Sequence, residues 1–263
     1  MSDSPLISIS VVSHGQAALV DLLLRDLATH LKTPVEVVLT VNITEGLPFD
    51  PASLAFPVRV LINPQPKGFG ANHNAAFRES GCRYFCVLNP DIRLESDPFP
   101  ALIACLADPS LGVAAPLIRN PAGSIEDNAR LFPTPWTIVR KALAGSGLDY
   151  ATGTQIIYPD WVAGMFMLFP RDVFAEVGGF DERYFLYYED VDLCARLSAI
   201  GRWAAICPQA CAVHAARRES RRSLRHLRWH ISSMFRFFFR RAATFRRTRS
   251  AARQGVGATD GRN

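Results

Sequence analysis

The sequence predicts a mixed, mainly parallel α/β sheet flanked by helices. Three observations carry that expectation. Short apolar runs rich in β-branched residues, which suit buried strands, recur through the first half of the chain. Stretches with helical apolar spacing fall between them at short intervals. The first four strand ends are polar, at Ser13–His14, Asn42–Glu45, Asn63–Phe69 and Asn89–Asp91. Sheets of this class bind ligands at the carboxyl ends of their strands.

Residues 6–14 (LISISVVSH) read as the first strand and 18–31 as the first helix. Strands follow at 35–42 and 58–64, the latter closed by proline. A helix is expected over 70–80, stopped by Gly81. Then come a strand at 83–91 that runs into a polar turn, a helix at 99–108 and a strand at 112–118. Residues 119–160 are rich in Pro, Gly and Thr and read as a long loop region with one short helix near Thr134–Leu143. Loops of that length inside a compact domain are usually functional or mobile. WVAGMFMLFP (161–170) returns to strand, and 171–180 is a helix ending at Gly178–Gly179. A further helix runs through Leu197 to a stop at Gly201, and a last apolar run leads to His214. The expected organisation is one unit over 1–215, a basic amphipathic helical tail over 216–250 and a disordered end over 251–263.

Composition narrows the function classes. Of 263 residues, 49% are apolar and 20% charged, which suits a globular core. No apolar stretch is long enough to cross a bilayer, and MSDSPLISISVVS lacks the build of a secretory signal, so a cytoplasmic protein is expected. The six cysteines include two C-x3-C pairs but no C-x2-C knuckle. Reduced core thiols are the simpler reading than zinc. The net charge of +5 is unevenly distributed: 217–253 holds thirteen arginines against Glu219 alone, leaving about −7 on the remainder.

Three motifs could carry chemistry. NPD (89–91) puts an acid just past a buried strand, where one carboxylate suits Mg2+ or Mn2+ shared with a substrate diphosphate. A simple Asn-Pro-Asp turn explains the same string. KGFGANHN (67–74) sets two glycines before a helix start, where backbone N–H groups can approach an anion, although Asn72 as a helix cap explains it nearly as well. YFLYYEDVDLCARL (184–197) crowds Glu189, Asp190 and Asp192 behind aromatic residues. A helix N-terminus and an Asp192–Arg196 pair account for part of that crowding. The aromatic run is better explained by a drier pocket, in which a carboxylate gains the basicity a general base needs. His214 reads as a core histidine or an imidazole ligand.

Taken together, NPD, then 161–201, then a strand and His214 resemble glycosyltransferase family 2, and more narrowly its rhamnosyltransferase-type branch. The similarity spans roughly 6–215. It implies the GT-A fold, a nucleotide-sugar donor, a divalent metal and inversion at the anomeric carbon. By position, Asp91 matches the family's metal-binding acid and Asp190 the catalytic base of the ED motif. His214 matches a histidine that completes the metal site in some members. Trp161 and Gly164 match the stretch lining the donor and acceptor pocket, and Lys67, Gly68, Phe69 and Asn72 the segment near the nucleotide's base and ribose. Glu189 then either contacts acceptor hydroxyls or stabilises the turn. One departure stands out: many members place Asp where Val41 lies, and Asn42 or Glu45 would have to substitute in holding the donor's base. A non-catalytic nucleotide-sugar binder or membrane scaffold is the competing class, against which the joint presence of Asp91, Asp190 and His214 argues.

The implied acceptor is a saccharide or a polyprenyl-linked saccharide of a surface polysaccharide. In the tail, Leu224, Leu227, Ile231, Met234 and Phe238 form one stripe with arginines mainly outside it. Such a helix suits an anionic membrane surface, which would put the protein at the inner face of the plasma membrane. Packing on the domain itself, or on a second copy in a homo-oligomer, fits the same pattern. Nucleic acid also fits arginine with aromatics, but nothing else in the chain supports it.

Overall fold

The computed structural model describes residues 4–138, 149–151, 153–215 and 225–240. Its centre is an eight-stranded sheet in the order β3-β2-β1-β4-β9-β6-β10-β5. The strands are β1 (Ile7–Ser13), β2 (Val35–Val41), β3 (Val58–Ile62), β4 (Tyr84–Leu88), β5 (Ile92–Arg93), β6 (Leu111–Arg119), β9 (Phe166–Pro170) and β10 (Trp203–His214). β1 pairs in parallel with both β2 and β4, and β6 pairs in parallel with β10. β9 runs antiparallel between β4 and β6, and β5 antiparallel along β10. From β1 the chain builds outward through β2 to β3, then returns to lay β4 on the other side of β1. The order reverses between β1 and β4, whose ends lead to Ser13 and Asn89–Asp91, the place where sheets of this class bind ligands.

The two faces of the sheet are covered by different helices. On one, Ile7, Ile9 and Val11 of β1 meet Val20, Leu23 and Leu27 of α1 (Ala17–His30), with Phe99 and Leu102 of α3 (Phe99–Cys105) further along. On the other, Phe85 and Val87 of β4 meet Phe174 of α5 (Arg171–Glu176) and Val191 and Leu197 of α6 (Glu189–Ala199). Ala76 of α2 (Phe69–Glu79) joins this second core. The period-two alternation of the strands therefore serves both faces at once, and the runs read as continuously apolar. All six cysteines are free thiols and five are buried.

Three local features depart from the sequence reading. The run 161–170 is not one strand. Trp161–Val162 (β8) pairs with Ala129–Arg130 (β7) in a separate two-stranded ribbon, and Phe166–Pro170 pairs with β4. The chain changes partner at Ala163–Gly164–Met165. The helix expected over 171–180 stops at Glu176, because Gly178 (φ +76°) and Gly179 (φ +63°) turn the chain into the left-handed region. Residues 119–160 hold β7, and a helix α4 is described over 135–138. The rest of the expected helix to Leu143 lies outside the described residues, as does the end at 251–263.

A last helix, α7, is described over 225–240 and lies on the domain. Trp229 stacks on Phe185, Ser233 donates to the Leu186 carbonyl (2.9 Å) and Phe237 is buried beside Tyr188. Arg240 pairs with Asp181 and Asp192.

Phe174 is the hub of the second core, in contact with the rings of Phe77, Phe85, Phe169 and Phe180. Removing so buried a ring loses its transfer energy and leaves a cavity. Phe174→Ala should cost about 3–5 kcal/mol, read as a lower urea midpoint with little change in slope.

Candidate active site

The turn at Ala163–Gly164–Met165 is where separate parts of the chain meet. The Met165 carbonyl accepts from the Asn89 N–H (2.9 Å), which fixes the NPD segment at the end of β4. The Gly164 N–H donates to an Asp190 carboxylate oxygen (3.0 Å). Ala163 N–H donates to the Asn128 carbonyl (3.0 Å). Gly164 also lies against the Phe69 ring: a Cβ there would stand 3.4 Å from the ring and 3.6 Å from the Asp190 Cβ. Three of the segments singled out from sequence, those holding Asp91, Asp190 and Phe69, thus converge on one turn.

Asp190 sits in the first turn of α6, where the helix dipole favours a carboxylate. Its other oxygen accepts from the Val191 N–H (2.8 Å). Burial raises its pKa above the ordinary aspartate value, against the backbone hydrogen bonds and the nearby Arg130, which lower it. Glu189 is more deeply placed, 5% exposed, with Oε2 lacking any partner among the described residues. Burial and then the charge of Asp190 push its carboxyl well above the usual range. Charging Glu189 is thus disfavoured more strongly than charging Asp190, which leaves Asp190 as the one of the pair that ionises more readily.

The aromatic residues before these acids are held in an unusual backbone. Tyr187 (φ 70°) and Tyr188 (φ 67°) are successive left-handed residues, a conformation costly for bulky side chains. α7 holds them there: His226 hydrogen-bonds the Tyr187 hydroxyl (2.9 Å), and His230 and Phe237 pack on Tyr188. A cavity of about 400 Å³ opens beside them, walled by Leu131, Trp161, Tyr187 and Tyr188, with Arg130, Glu189, Asp190 and His230 supplying the polar groups. Trp161 is fixed by its indole N–H to the Leu131 carbonyl (2.9 Å) and by the Arg130 guanidinium over its ring.

Asp91 lies outside the lining of that cavity, in a second polar cluster. Its Oδ2 is 3.2 Å from His214 Nε2, and His214 Nδ1 is 2.6 Å from Glu126 Oε2. Burial works against charging His214, but the bonds to Asp91 and Glu126 prevail and raise its pKa to about 9. Asp91 Oδ1 is buried without a partner. Among the described residues no three acidic, His or Cys side chains form a ready cation cage. A hard cation held by Asp91 and a substrate diphosphate needs no such cage, and the unpartnered Asp91 oxygen suits it; His214 would join as a ligand only by giving up the Nε2 proton it shares with Asp91.

The third group, at the ends of β1 and β2, is built from amides. Asn42 Oδ1 accepts from the Lys67 N–H (2.8 Å) and from Asn63 Nδ2 (2.8 Å), and Asn63 Nδ2 also reaches Asn72 Oδ1 (2.7 Å). Asn42 Nδ2 meets the Lys67 carbonyl and His14 Nδ1, each at 3.0 Å. Glu45 accepts from the Ser13 hydroxyl (2.5 Å) and from the N–H groups of Gly15 (3.1 Å) and Ala17 (2.9 Å). It serves as the remote cap of α1, whose own N-cap Gln16 offers no side-chain bond. Asn42 and Glu45 thus hold backbone, while His14, bonded to Asn42, and Lys67 are exposed. Gly68 is obligatory, since a Cβ there would lie 2.7 Å from the Phe185 carbonyl oxygen.

Sequence reasoning missed Glu126, Arg130, Tyr187 and His230. The first two lie in the Pro/Gly-rich region without periodicity. Their only signal was an acid and an arginine flanking Asn128 in a loop too long to be idle.

Comparison with known proteins bears out the family resemblance. A rhamnosyltransferase, WbbL of Escherichia coli K12, is 33% identical over 187 residues, covering 66% of this chain and 71% of the relative. The chain belongs to the rhamnosyltransferase-like branch of glycosyltransferase family 2. An N-acetylglucosaminyl-diphospho-decaprenol L-rhamnosyltransferase of Mycobacterium tuberculosis is 29% identical, covering 88% of this chain and 83% of the relative. No family model matches the chain. Among solved structures, GalNAc-T7 with UDP, GalNAc and Mn2+ superposes with a TM-score of 0.62 at 16% identity over 83% of this chain. The mannosyltransferase PcManGT of Pyrobaculum calidifontis, in complex with GDP-Man and Mn2+, gives 0.60 at 17% over 82%. The chain spans 45% and 58% of those two structures, and at such identities the likeness shows the GT-A fold alone. The glycosyltransferase has, among its described residues, no helix long and apolar enough to cross a membrane.

If Glu45 caps α1 rather than reading the donor's base, Glu45→Ala should lower stability by about 1 kcal/mol while leaving discrimination between nucleotide bases unchanged. Thermal unfolding, together with competition by free nucleoside diphosphates, checks both halves.

Proposed function

We propose that this glycosyltransferase inverts the anomeric carbon of a nucleotide sugar, rhamnose foremost, as it transfers the sugar to a saccharide or polyprenyl-linked saccharide acceptor. The work would belong to surface polysaccharide synthesis at the cytoplasmic face of the plasma membrane. One observation carries the reading: the Gly164 turn ties the Asp190 segment to the Asp91 segment while each faces its own polar cluster. The names of the rhamnosyltransferase relatives support the sugar and the lipid-linked acceptor.

The acceptor hydroxyl would enter the cavity beside Asp190, whose raised pKa makes it a better base than an ordinary aspartate. Asp190 takes the hydroxyl proton as that oxygen bonds to the anomeric carbon, and the bond from that carbon to the diphosphate breaks on the opposite side. A single displacement inverts the configuration. Glu189, which lines the same cavity, would meet a second acceptor hydroxyl. Asp91 and His214 would hold Mg2+ or Mn2+, which supplies charge neutralisation for the departing nucleoside diphosphate. A UDP-hexose or UDP-N-acetylhexosamine donor is the second reading, because Val41 in place of the family's frequent Asp leaves the nucleotide base unspecified.

Asp190→Asn should cut kcat by about a hundredfold or more with donor affinity unchanged. Because the folded-state pKa of Asp190 is raised, ionising it costs stability as pH rises, so the parent should lose stability relative to the neutral variant as pH rises through that range. For the parent, kcat should fall with decreasing pH along a limb displaced above the ordinary carboxylate range. A profile flat down to pH 4 would exclude Asp190 as the base.

Asp91→Ala should abolish the gain in donor affinity that Mn2+ confers. Calorimetry with and without the ion decides it, and an undiminished gain would remove Asp91 from the cation site.

A further inference from the structure

The inner side of α7 is fully engaged with the domain, but its outer side is not. Leu227, Ile231, Phe235 and Phe239, spaced four residues apart, are 55%, 41%, 54% and 75% exposed. Phe237, on the inner side, is 2% exposed. Four large apolar residues in one outward row form a contiguous patch, which on soluble proteins usually marks an interaction surface. Phe235 and Phe239 stack on each other at 6.4 Å rather than turning inward.

Charge selects the occupant. Arg225, Arg228 and Arg236 are exposed on the same helix. The sequence adds Arg217, Arg218, Arg221 and Arg222 before it and Arg241, Arg246, Arg247 and Arg249 after it, with Glu219 the single acid of 217–253. A second copy would bring an equally basic ridge against this one, and like charges would repel. Nucleic acid would match the arginines but leave the aliphatic and aromatic row uncovered. A surface that accepts apolar side chains below a layer of negative headgroups satisfies both.

We infer that the outer ridge of α7 docks on an anionic lipid bilayer. The docked helix would hold the catalytic cavity at the membrane, because His230, between Leu227 and Ile231 in sequence, lines that cavity from the other side. This bears on the lipid-linked acceptor but does not rest on it, since the vesicles used in the test contain no sugar or polyprenol.

The test is flotation of the full-length chain with vesicles of phosphatidylcholine alone or mixed with phosphatidylglycerol. The parent should float with the mixed vesicles, about tenfold or more better than with phosphatidylcholine alone. A triple variant, Ile231→Ser, Phe235→Ser and Phe239→Ser, alters exposed side chains only and should melt at the parent's temperature. It should lose about tenfold or more of the binding. Flotation of the variant equal to the parent would overturn the proposal, because arginine charge alone would then suffice. So would failure of the parent to float, or a parent that is dimeric without vesicles and a variant that is monomeric, which would assign the ridge to a second copy.

Discussion

The Gly164 N–H bonded to the Asp190 carboxylate is the contact on which the rest of the site depends. It forms because one apolar run serves two sheets: Trp161–Val162 pairs with β7, Phe166–Pro170 pairs with β4, and the three residues between have their backbone groups free for other partners. The Phe69 ring and the Asp190 side chain lie against that turn within van der Waals reach of a Cβ at Gly164. The turn therefore sets position, and the residues around it set chemistry.

That chemistry comes from opposed costs. Burial of Glu189 and Asp190 beside each other disfavours charge on both, and two left-handed tyrosines add backbone strain. Neither would persist without support from elsewhere. α7 supplies it through Trp229, His226, Ser233 and Phe237, all of which bind the 185–188 stretch. The tail is thus part of the wall around the acids, and its fold stability and the basicity of Asp190 are linked. Stability is spent where reactivity is needed, a pattern common to enzyme sites.

The ends of β1 and β2 are stabilised in another way. Asn42, Asn63 and Asn72 satisfy one another and the Lys67 backbone, and Glu45 satisfies the first N–H groups of α1. Amides can both donate and accept, so a small cluster of them fixes a loop without burying charge. Val41, the departure from the family pattern, sits at the end of β2 directly before this cluster. The strand end is rigid, while the side chain there offers no polar group to a ligand.

The alternation of strands and helices was legible in the sequence because burial on both sheet faces demands continuous apolar runs, and polar strand ends marked the crevice. The acids at 189–192 and the NPD turn were legible as types and, through the family resemblance, as candidate roles. Residues Glu126 and Arg130 were not, since a two-residue strand such as β7 is too short to show a period, and its pairing with Trp161 spans thirty-one residues. Nor could spacing tell which stripe of α7 faces the domain: Leu227 and Phe237 are equally apolar, and only the packing on Tyr188 separates the buried one from the exposed. Sequence by itself determined which segments fold and which groups they carry, because local periodicity follows from burial. Tertiary structure decided which of those groups meet, because contacts across a hundred residues depend on pairing and shape that no local pattern encodes.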